Sequence, residues 1–223
     1  MDSHPYHHYY FFALDSGFYQ LPEPTQHLLK KLFHKLLSAQ PDIFITPYST
    51  LGFKADTTFM LWLRAPNPTA AQSLLRTIFA SKIGKYLRLT YTYFGIVRES
   101  QYSGRTGKPE QVMQNFGDRL PYFVLYPFTK TADWYLLDMD NRRSIMGQHI
   151  KTGLAHPNIR QCLLYSYGID DYEFLVSYET PTLEEFQDLV IEMRKTIGRK
   201  YTLVDTPIFT CVYKPLDAIL EWL

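Results

Sequence analysis

The sequence predicts an α+β fold made of two tandem ferredoxin-like repeats. Two observations lead to this prediction: the same order of predicted elements occurs twice along the 223 residues, and one strand-to-helix junction recurs in both halves. The order is strand, helix, strand, strand, helix, strand, which is that of a ferredoxin-like unit. Each unit leaves one sheet face without helices. Because the two open faces can cover each other, we predict that the units form one compact, barrel-like double unit.

The first half contains four predicted strands and two predicted helices. Its first helix, over residues 23–40, carries Leu and Phe on one broad face, as a helix packed on a sheet requires. Alternating or continuous apolar residues mark the strands. The strands are predicted in YYFFALD, DIFITPYST, TTFMLWLRA and KYLRLTYTYFGIV, and the second helix in TAAQSLLRTIFASKI.

The second half repeats this order. Strands are predicted in PYFVLYPF, NIRQCLLYSY, YEFLVSYE and PIFTCVYK, and helices over residues 138–155 and in TLEEFQDLVIEMRKTIG. The segment 98–119 is polar, contains glycine and lacks strand patterns. We therefore predict an N-terminal repeat over 1–97, a connector over 98–119 and a C-terminal repeat over 120–223 that carries the functional site.

The recurring junction lies before the second helix of each half. Both copies place Pro-Thr at the start of the helix, in APNPTAAQ and ETPTLEEF. A Thr followed three residues later by Gln or Glu is a capping box, so Thr69 with Gln72 and Thr182 with Glu185 are predicted to cap their helices.

The bulk composition excludes several classes of protein. A net charge of +1 gives no reason to expect nucleic acid or an anionic membrane as a partner. Cys162 and Cys211 form neither a disulfide framework nor a zinc spacing, and no apolar run approaches the roughly 18 residues that span a bilayer. YYFFAL is too short for a signal sequence, so we expect a cytoplasmic protein.

His149 is the first candidate site residue. It follows Ile145 by four residues and Met146 by three, so all three lie on one face of the predicted helix. A histidine on an apolar stripe is either a core residue with one hydrogen bond or a ligand aimed into a cavity. By contrast, His4, His7 and His8 near the N-terminus are interpreted as a solvated or packing segment.

Four further side chains of the second half could carry chemistry. Tyr126 ends a strand, Lys130 follows it by four residues, Gln161 lies in an otherwise apolar strand, and Arg194 borders a buried stripe. Taken singly, three of them have a structural interpretation: Tyr126 as a core aromatic, Gln161 as an ordinary polar strand residue and Arg194 as an ion-pair partner.

Taken in order, the motifs YPFTKTADWY, NRRSIMGQH, RQCLLYSYGIDDYEF and EEFQDLVIEMR resemble the second half of the chlorite dismutase-like haem proteins. The likeness covers about residues 121–213 and is closest to the coproheme decarboxylase branch. It implies a dimeric α+β barrel made of two ferredoxin-like units, commonly assembled as a homopentamer. Arg142 and Arg143, at the edge of the second motif, are predicted to be helix-surface residues.

The resemblance assigns a role to each candidate. His149 matches the proximal haem ligand, and Tyr126 matches a tyrosine that carries oxidising equivalents to a substrate propionate. Lys130 matches a lysine paired with that site, and Arg194 an arginine that binds a propionate. Gln161 stands where chlorite-decomposing members have an arginine, so it indicates the decarboxylase branch.

The resemblance therefore implies peroxide-driven oxidative decarboxylation of coproheme to haem b, with coproheme as both substrate and cofactor and hydrogen peroxide as co-substrate. The chain departs from the family pattern after His149, where HIKTGLAHPNI replaces a glycine-rich run, and Arg119 is too poorly aligned to replace a propionate-binding arginine. Alternatives are a chlorite dismutase-like or weakly peroxidatic haem-binding protein, and a cofactor-free barrel that binds an aromatic ligand.

Overall fold

A computed structural model describes residues 4–100, 102, 113 and 117–223. The chain forms two compact units: the first comprises Met1–Val97 and Cys211–Leu223, and the second comprises Arg98–Thr210. Much of the predicted connector lies outside the described residues. Helices and antiparallel strands alternate in both units, which confirms the α+β prediction.

The first unit is a four-stranded antiparallel sheet covered by helices. Its central strand β1 pairs with both β3 and β4, and β2 pairs with β3 on the other side, which is the ferredoxin-like order. The elements are β1 (Tyr6–Leu14), α1 (Glu23–Ser38), β2 (Phe44–Ser49), β3 (Phe59–Ala65), α2 (Pro68–Ala80), β4 (Leu87–Ile96) and the C-terminal α6 (Leu216–Trp222).

The helices of this unit bury one face of the sheet. Phe12, Leu61 and Leu63 are fully buried against Phe33 of α1 and Ile78 of α2. Each helix offers apolar residues at three- and four-residue spacing, which is why one stripe meets the sheet. The sheet residues on this face alternate with residues of the other face, as β geometry requires.

The second unit is built on three longer strands. β5 pairs with β7, which pairs with β6, all antiparallel, and the short β8 adds to the end of β5. The elements are β5 (Tyr122–Lys130), α3 (Ala132–Leu136), α4 (Met139–Leu154), β6 (Arg160–Tyr165), β7 (Phe174–Thr180), α5 (Leu183–Arg194), β8 (Thr202–Val204) and β9 (Phe209–Tyr213), the last of which continues into the first unit.

One of the two predicted capping boxes is wrong. The Thr182 hydroxyl accepts a hydrogen bond from the Glu185 backbone at 3.2 Å and caps α5, as predicted. In α2, however, the cap is Asn67, whose side-chain oxygen accepts from the Ala70 backbone at 2.9 Å, while Thr69 is already inside the helix. Asn is as good a cap as Thr, and Pro68 suits the first helical position.

No helix among the described residues is long and apolar enough to cross a bilayer. The first predicted strand begins earlier than expected, at Tyr6, so His7 and His8 lie in β1 and are buried. They belong to the packed interior of the first unit, so of the two interpretations, solvated or packing, the packing one applies to His7 and His8.

Candidate functional site

His149 is placed by α4, a helix of 16 residues capped by the Asp138 carboxylate, which accepts from the Asn141 backbone. No residue of α4 is fully buried, and its main neighbours are α5 and the short 3-10 helix Ile197–Tyr201 rather than the strands. Ile145, Met146 and His149 are all half-buried on the inner side. This helix therefore covers its sheet less closely than an ordinary amphipathic helix would.

The imidazole of His149 is uncharged at neutral pH. Burial lowers the pKa of His149 to about 4, and the positive charge of Lys130 acts in the same direction. His149 makes no hydrogen bond or ion pair within the part of the chain that the structure describes. A neutral imidazole with an available lone pair is the form of histidine that binds metals.

Tyr126 and Gln161 lie on one face of the sheet. Directly paired residues of antiparallel strands point to the same side. Tyr126 pairs with Val176, which also pairs with Leu163, and Gln161 pairs with Tyr178. The face that these residues share is the one that α5 covers, because Phe186 and Leu189 of α5 pack against Val176 and Tyr178.

The coverage of this face ends at β6. Leu163 is 39% exposed and Gln161 is also exposed, whereas Cys162 and Leu164, on the opposite face of the same strand, are 3% and 0% exposed. An apolar side chain left open beside a buried cluster marks a surface that another group can cover. The sheet thus offers a partly apolar wall at the position of Gln161.

Tyr126 is protonated and lies beside charged groups. Burial raises the pKa of Tyr126 well above its usual value, with Tyr178 and Asp205 adding to the rise and Arg194 opposing it. The hydroxyls of Tyr126 and Tyr178 are hydrogen-bonded, and their ring centroids are 6.1 Å apart. The phenol therefore has a polar partner inside an otherwise apolar cluster.

Lys130 ends β5 among aromatic rings. Its ammonium lies 4.9 Å from the centroid of the Trp134 ring, and burial lowers the pKa of Lys130 to about 8 although Glu173 opposes this shift. The Glu173 carboxylate accepts a hydrogen bond from the Lys130 backbone at 2.7 Å and another from the Tyr135 hydroxyl at 2.5 Å. Lys130 remains a cation at neutral pH.

Arg194 ends α5 and forms an ion pair. Its guanidinium lies 3.0 Å from the Asp205 carboxylate, which Arg199 also approaches at 2.8 Å. The side chain is 44% exposed, so a second carboxylate could reach it from solvent. Arg119, by contrast, faces the buried Glu179 at 3.3 Å. Arg194 therefore forms the ion pair that its structural interpretation predicts, and it also lies within electrostatic reach of Tyr126.

The structure brings the five candidates together in two groups. Tyr126 lies within electrostatic reach of Arg194, and its partner Tyr178 sits beside Gln161. Lys130 lies within electrostatic reach of His149. Among the described residues no hydrogen bond joins His149 to Gln161, and no group of three or more His, Cys, Asp or Glu is arranged to hold a bare metal ion.

The sequence model of the chlorite dismutase family matches residues 23–214. The chain belongs to the chlorite dismutase family. It is 26% identical to the coproheme decarboxylase of Mycolicibacterium smegmatis over 73% of this chain and 70% of that protein. It is 27% identical to the chlorite dismutase of Ideonella dechloratans, over 71% of this chain and 58% of that protein, which is less than two thirds of that relative's length.

The solved structures agree on the fold. Chlorite dismutase from Candidatus Nitrospira defluvii in complex with imidazole superposes with a TM-score of 0.89 over 100% of this chain and 96% of that one, at 24% identity. This member of the chlorite dismutase family therefore has the predicted fold. Its relatives carry two different reaction names, so membership alone does not decide the reaction.

Two residues that contact the candidate site, Tyr178 and Asp205, were not identified from the sequence. Tyr178 could have been found from alternation, since Phe174, Val176 and Tyr178 follow one another on one face of β7. Asp205 has no local signal, because its role comes from the approach of two arginines. Arg142, predicted to be a plain surface residue, instead faces a cleft, whereas Arg143 is exposed as predicted.

Proposed function

We propose that this chain binds an iron porphyrin in its second unit, where His149 would hold the iron, and catalyses the peroxide-dependent oxidative decarboxylation of coproheme. The observation that carries the proposal is the grouping of a neutral imidazole, a half-buried phenol and two cations in one unit. Relatives named coproheme decarboxylase support it at 26% and 31% identity.

The residues fit a flat, carboxylate-bearing ligand. His149 is uncharged and stands on a helix without fully buried residues, while the facing strand leaves Leu163 open. The space between α4 and β6 is therefore only loosely filled by protein side chains, which suits a planar aromatic ligand. Lys130 and Arg194 offer positive charge for carboxylates, with the Arg194 fork suited to two parallel hydrogen bonds.

Bound coproheme would supply the iron that activates hydrogen peroxide. The overall chemistry balances: one propionate, one hydrogen peroxide and one proton give one vinyl group, one carbon dioxide and two water molecules. The propionate loses two electrons and the peroxide accepts them, so no further oxidant is required.

Tyr126 would mediate the oxidation of the propionate. A phenol can lose an electron and a proton together, and its raised pKa keeps Tyr126 protonated until that event. The hydrogen bond between the Tyr126 and Tyr178 hydroxyls would hold the Tyr126 phenol in position for that step. Arg194 would hold the carboxylate near the phenol, in competition with Asp205.

Gln161 supports decarboxylation over chlorite chemistry. A glutamine is a neutral donor and acceptor, whereas an arginine would add a positive charge that stabilises anionic oxychlorine species. The exposed position of Gln161 on the sheet face allows it to contact a ligand held between the two walls.

The test is a titration of purified protein with ferric coproheme, followed by peroxide and mass spectrometry of the porphyrins. We expect stepwise loss of carbon dioxide in the wild type. His149→Ala should lose the Soret band of the complex, whereas His156→Ala, which removes the other histidine of the same unit, should retain it. Tyr126→Phe should bind coproheme without turning it over, and Tyr122→Phe on the same strand should react normally.

If no decarboxylated porphyrin forms and Tyr126→Phe behaves as the wild type, the decarboxylase proposal is wrong. Tight porphyrin binding without turnover would indicate a weakly peroxidatic haem-binding protein. Chlorite dismutation is a second candidate, supported by the Ideonella relative, and oxygen release from chlorite measured with an electrode tests it. If His149→Ala leaves the Soret band unchanged, a barrel that binds another aromatic ligand is favoured.

A cytoplasmic location and assembly as a homopentamer complete the proposal. The family resemblance is what suggests the pentamer. Cell fractionation and light scattering of the purified protein test them.

A further inference from the structure

A second cleft lies in the same unit, beside the five candidate residues and lined by none of them. Its volume is about 640 Å³, within the size range of small-molecule sites. Its lining residues are all tyrosines or charged residues, among them Arg98, Glu99, Tyr135, Arg142, Tyr165 and Tyr167. Tyr135 and Tyr167 are 37% and 44% exposed, so the mouth of the cleft is open to solvent.

The two arginines of this cleft form no ion pair with the residues that the structure describes. Neither Arg98 nor Arg142 forms an ion pair there, and the buried Nε–H of Arg142 finds no acceptor among those residues. A buried guanidinium donor without an acceptor is costly, so it indicates an anion that completes the site. With Glu99 as the one acidic group of the lining, positive charge exceeds negative charge.

Nearby carboxylates are already engaged. Asp138 lies close enough to Arg142 for a weak electrostatic contact, but its oxygens accept from the Asn141 backbone at 2.8 Å and the Asn141 side chain at 2.7 Å. Glu173 accepts from the Tyr135 hydroxyl, which also bonds the Tyr167 hydroxyl at 3.0 Å. Asp138 and Glu173 are therefore occupied by other donors and form no ion pair with the arginines of the cleft.

The cleft is lined by the same two elements, α4 and β6, that carry His149 and Gln161. Arg142 precedes His149 by seven residues on α4, which is two turns or about 10 Å along the helix. Tyr165 follows Gln161 by four residues on the same face of β6, or about 13 Å. Both walls thus extend from the candidate site toward the two arginines.

We propose that this cleft binds a carboxylate group between Arg98 and Arg142. The planar fork of arginine matches a carboxylate with two parallel hydrogen bonds, and the tyrosine rings suit an apolar or aromatic body attached to it. The carboxylate belongs either to a porphyrin held at His149, in which case the inference rests on the proposed function, or to a free organic acid.

The test compares two neighbouring arginines of α4. Arg142→Gln removes the cleft cation, and Arg143→Gln removes an exposed one that pairs with Asp140 at the surface. Binding of ferric coproheme, followed by quenching of tryptophan fluorescence, and of benzoate, followed by NMR, is measured for both variants. Thermal unfolding confirms that each variant is folded, and Arg98→Gln provides a second substitution in the cleft.

If the carboxylate belongs to the porphyrin, Arg142→Gln and Arg98→Gln should weaken coproheme binding about tenfold or more, as the loss of a charged hydrogen bond does. Arg143→Gln should stay within about twofold of the wild type. If it belongs to a free acid, benzoate binding should be lost in Arg142→Gln while coproheme binding is unchanged.

Coproheme and benzoate affinities that are both unaffected by Arg142→Gln and Arg98→Gln would overturn the carboxylate site. If the wild type binds no porphyrin, the proposed function is wrong, and benzoate binding alone then tests the carboxylate site. Benzoate binding that Arg142→Gln abolishes supports the cleft, and no benzoate binding by the wild type overturns it.

Discussion

The first long helix of each repeat, α1 or α4, has the same length, but the two helices differ in how they meet their sheets. α1 and α4 both have 16 residues, yet α1 buries Leu29, Phe33 and Leu37 whereas α4 buries none fully. The second helices show no such contrast, since α2 and α5 each bury apolar residues. The two repeats therefore differ at one helix position, and that position in the second repeat carries His149.

Two kinds of buried histidine show what this difference means. His7 is 0% exposed, and its Nδ1 accepts a hydrogen bond from the indole N–H of Trp62 at 3.3 Å. His149 is half-buried without a hydrogen bond among the described residues, although burial lowers the pKa of both imidazoles. A low pKa alone does not separate a core histidine from a candidate ligand; the closeness of the packing does.

The largest expected difference between α1 and α4 is in the free energy of unfolding that is lost when an apolar side chain is truncated to alanine. Phe33→Ala removes a ring that is 1% exposed and should lower the free energy of unfolding by about 3–5 kcal/mol. Met146→Ala, on the half-buried face of α4, should cost about 1 kcal/mol or less because it leaves little enclosed cavity. Urea unfolding of the two variants measures the difference, and equal losses would mean that α4 is as tightly packed as α1.

The next contrast concerns the histidines themselves. At pH 7, His7→Leu takes an acceptor from the buried Trp62 N–H and should cost about 1–3 kcal/mol. His149→Leu should change the free energy of unfolding by less than about 1 kcal/mol, since no hydrogen bond is lost. A destabilisation by His149→Leu as large as that by His7→Leu would place His149 in the core.

The same two variants should differ from the wild type in acid. The folded pKa values of His7 and His149 are about 3 and about 4, below 6.5, so the unfolded chain binds more protons as the pH falls. Stability is therefore complete above pH 6.5 and declines below it, by up to about 1.4 kcal/mol per pH unit for each group. Each His→Leu variant should flatten this decline in urea titrations between pH 6.5 and 4.5, and an unchanged slope would contradict the assignment.

A smaller contrast lies in the two helix caps. Thr182→Ala and Asn67→Ala each remove the acceptor of a capping hydrogen bond and should cost about 1 kcal/mol. Thr69→Ala should stay within about 0.5 kcal/mol, because Thr69 is exposed and does not cap α2. Thermal unfolding of the three variants ranks them, and a larger loss for Thr69→Ala would restore the predicted capping box.

Sequence periodicity predicted the elements well because it reports local geometry. The helix predicted over residues 138–155 is observed as Met139–Leu154, and the strand predicted in NIRQCLLYSY is observed as β6. Local pattern could not distinguish Asn67 from Thr69, which both suit a helix start. It also could not place Arg142, because whether an arginine faces solvent or a cleft depends on distant strands and on residues of the connector.

The smallest expected effect on stability concerns Arg194, and it separates binding from folding in the second unit. Its ion pair with Asp205 is 44% exposed on the arginine side, so Arg194→Ala should lower the free energy of unfolding by less than about 1 kcal/mol. Coproheme binding should nevertheless weaken, since the guanidinium is a carboxylate receptor in the proposed function. Lys195→Ala, the next residue and also exposed, should change neither quantity. A loss of stability without a loss of binding would make Arg194 a structural residue of α5, as the buried side chains of α1 are in the first unit.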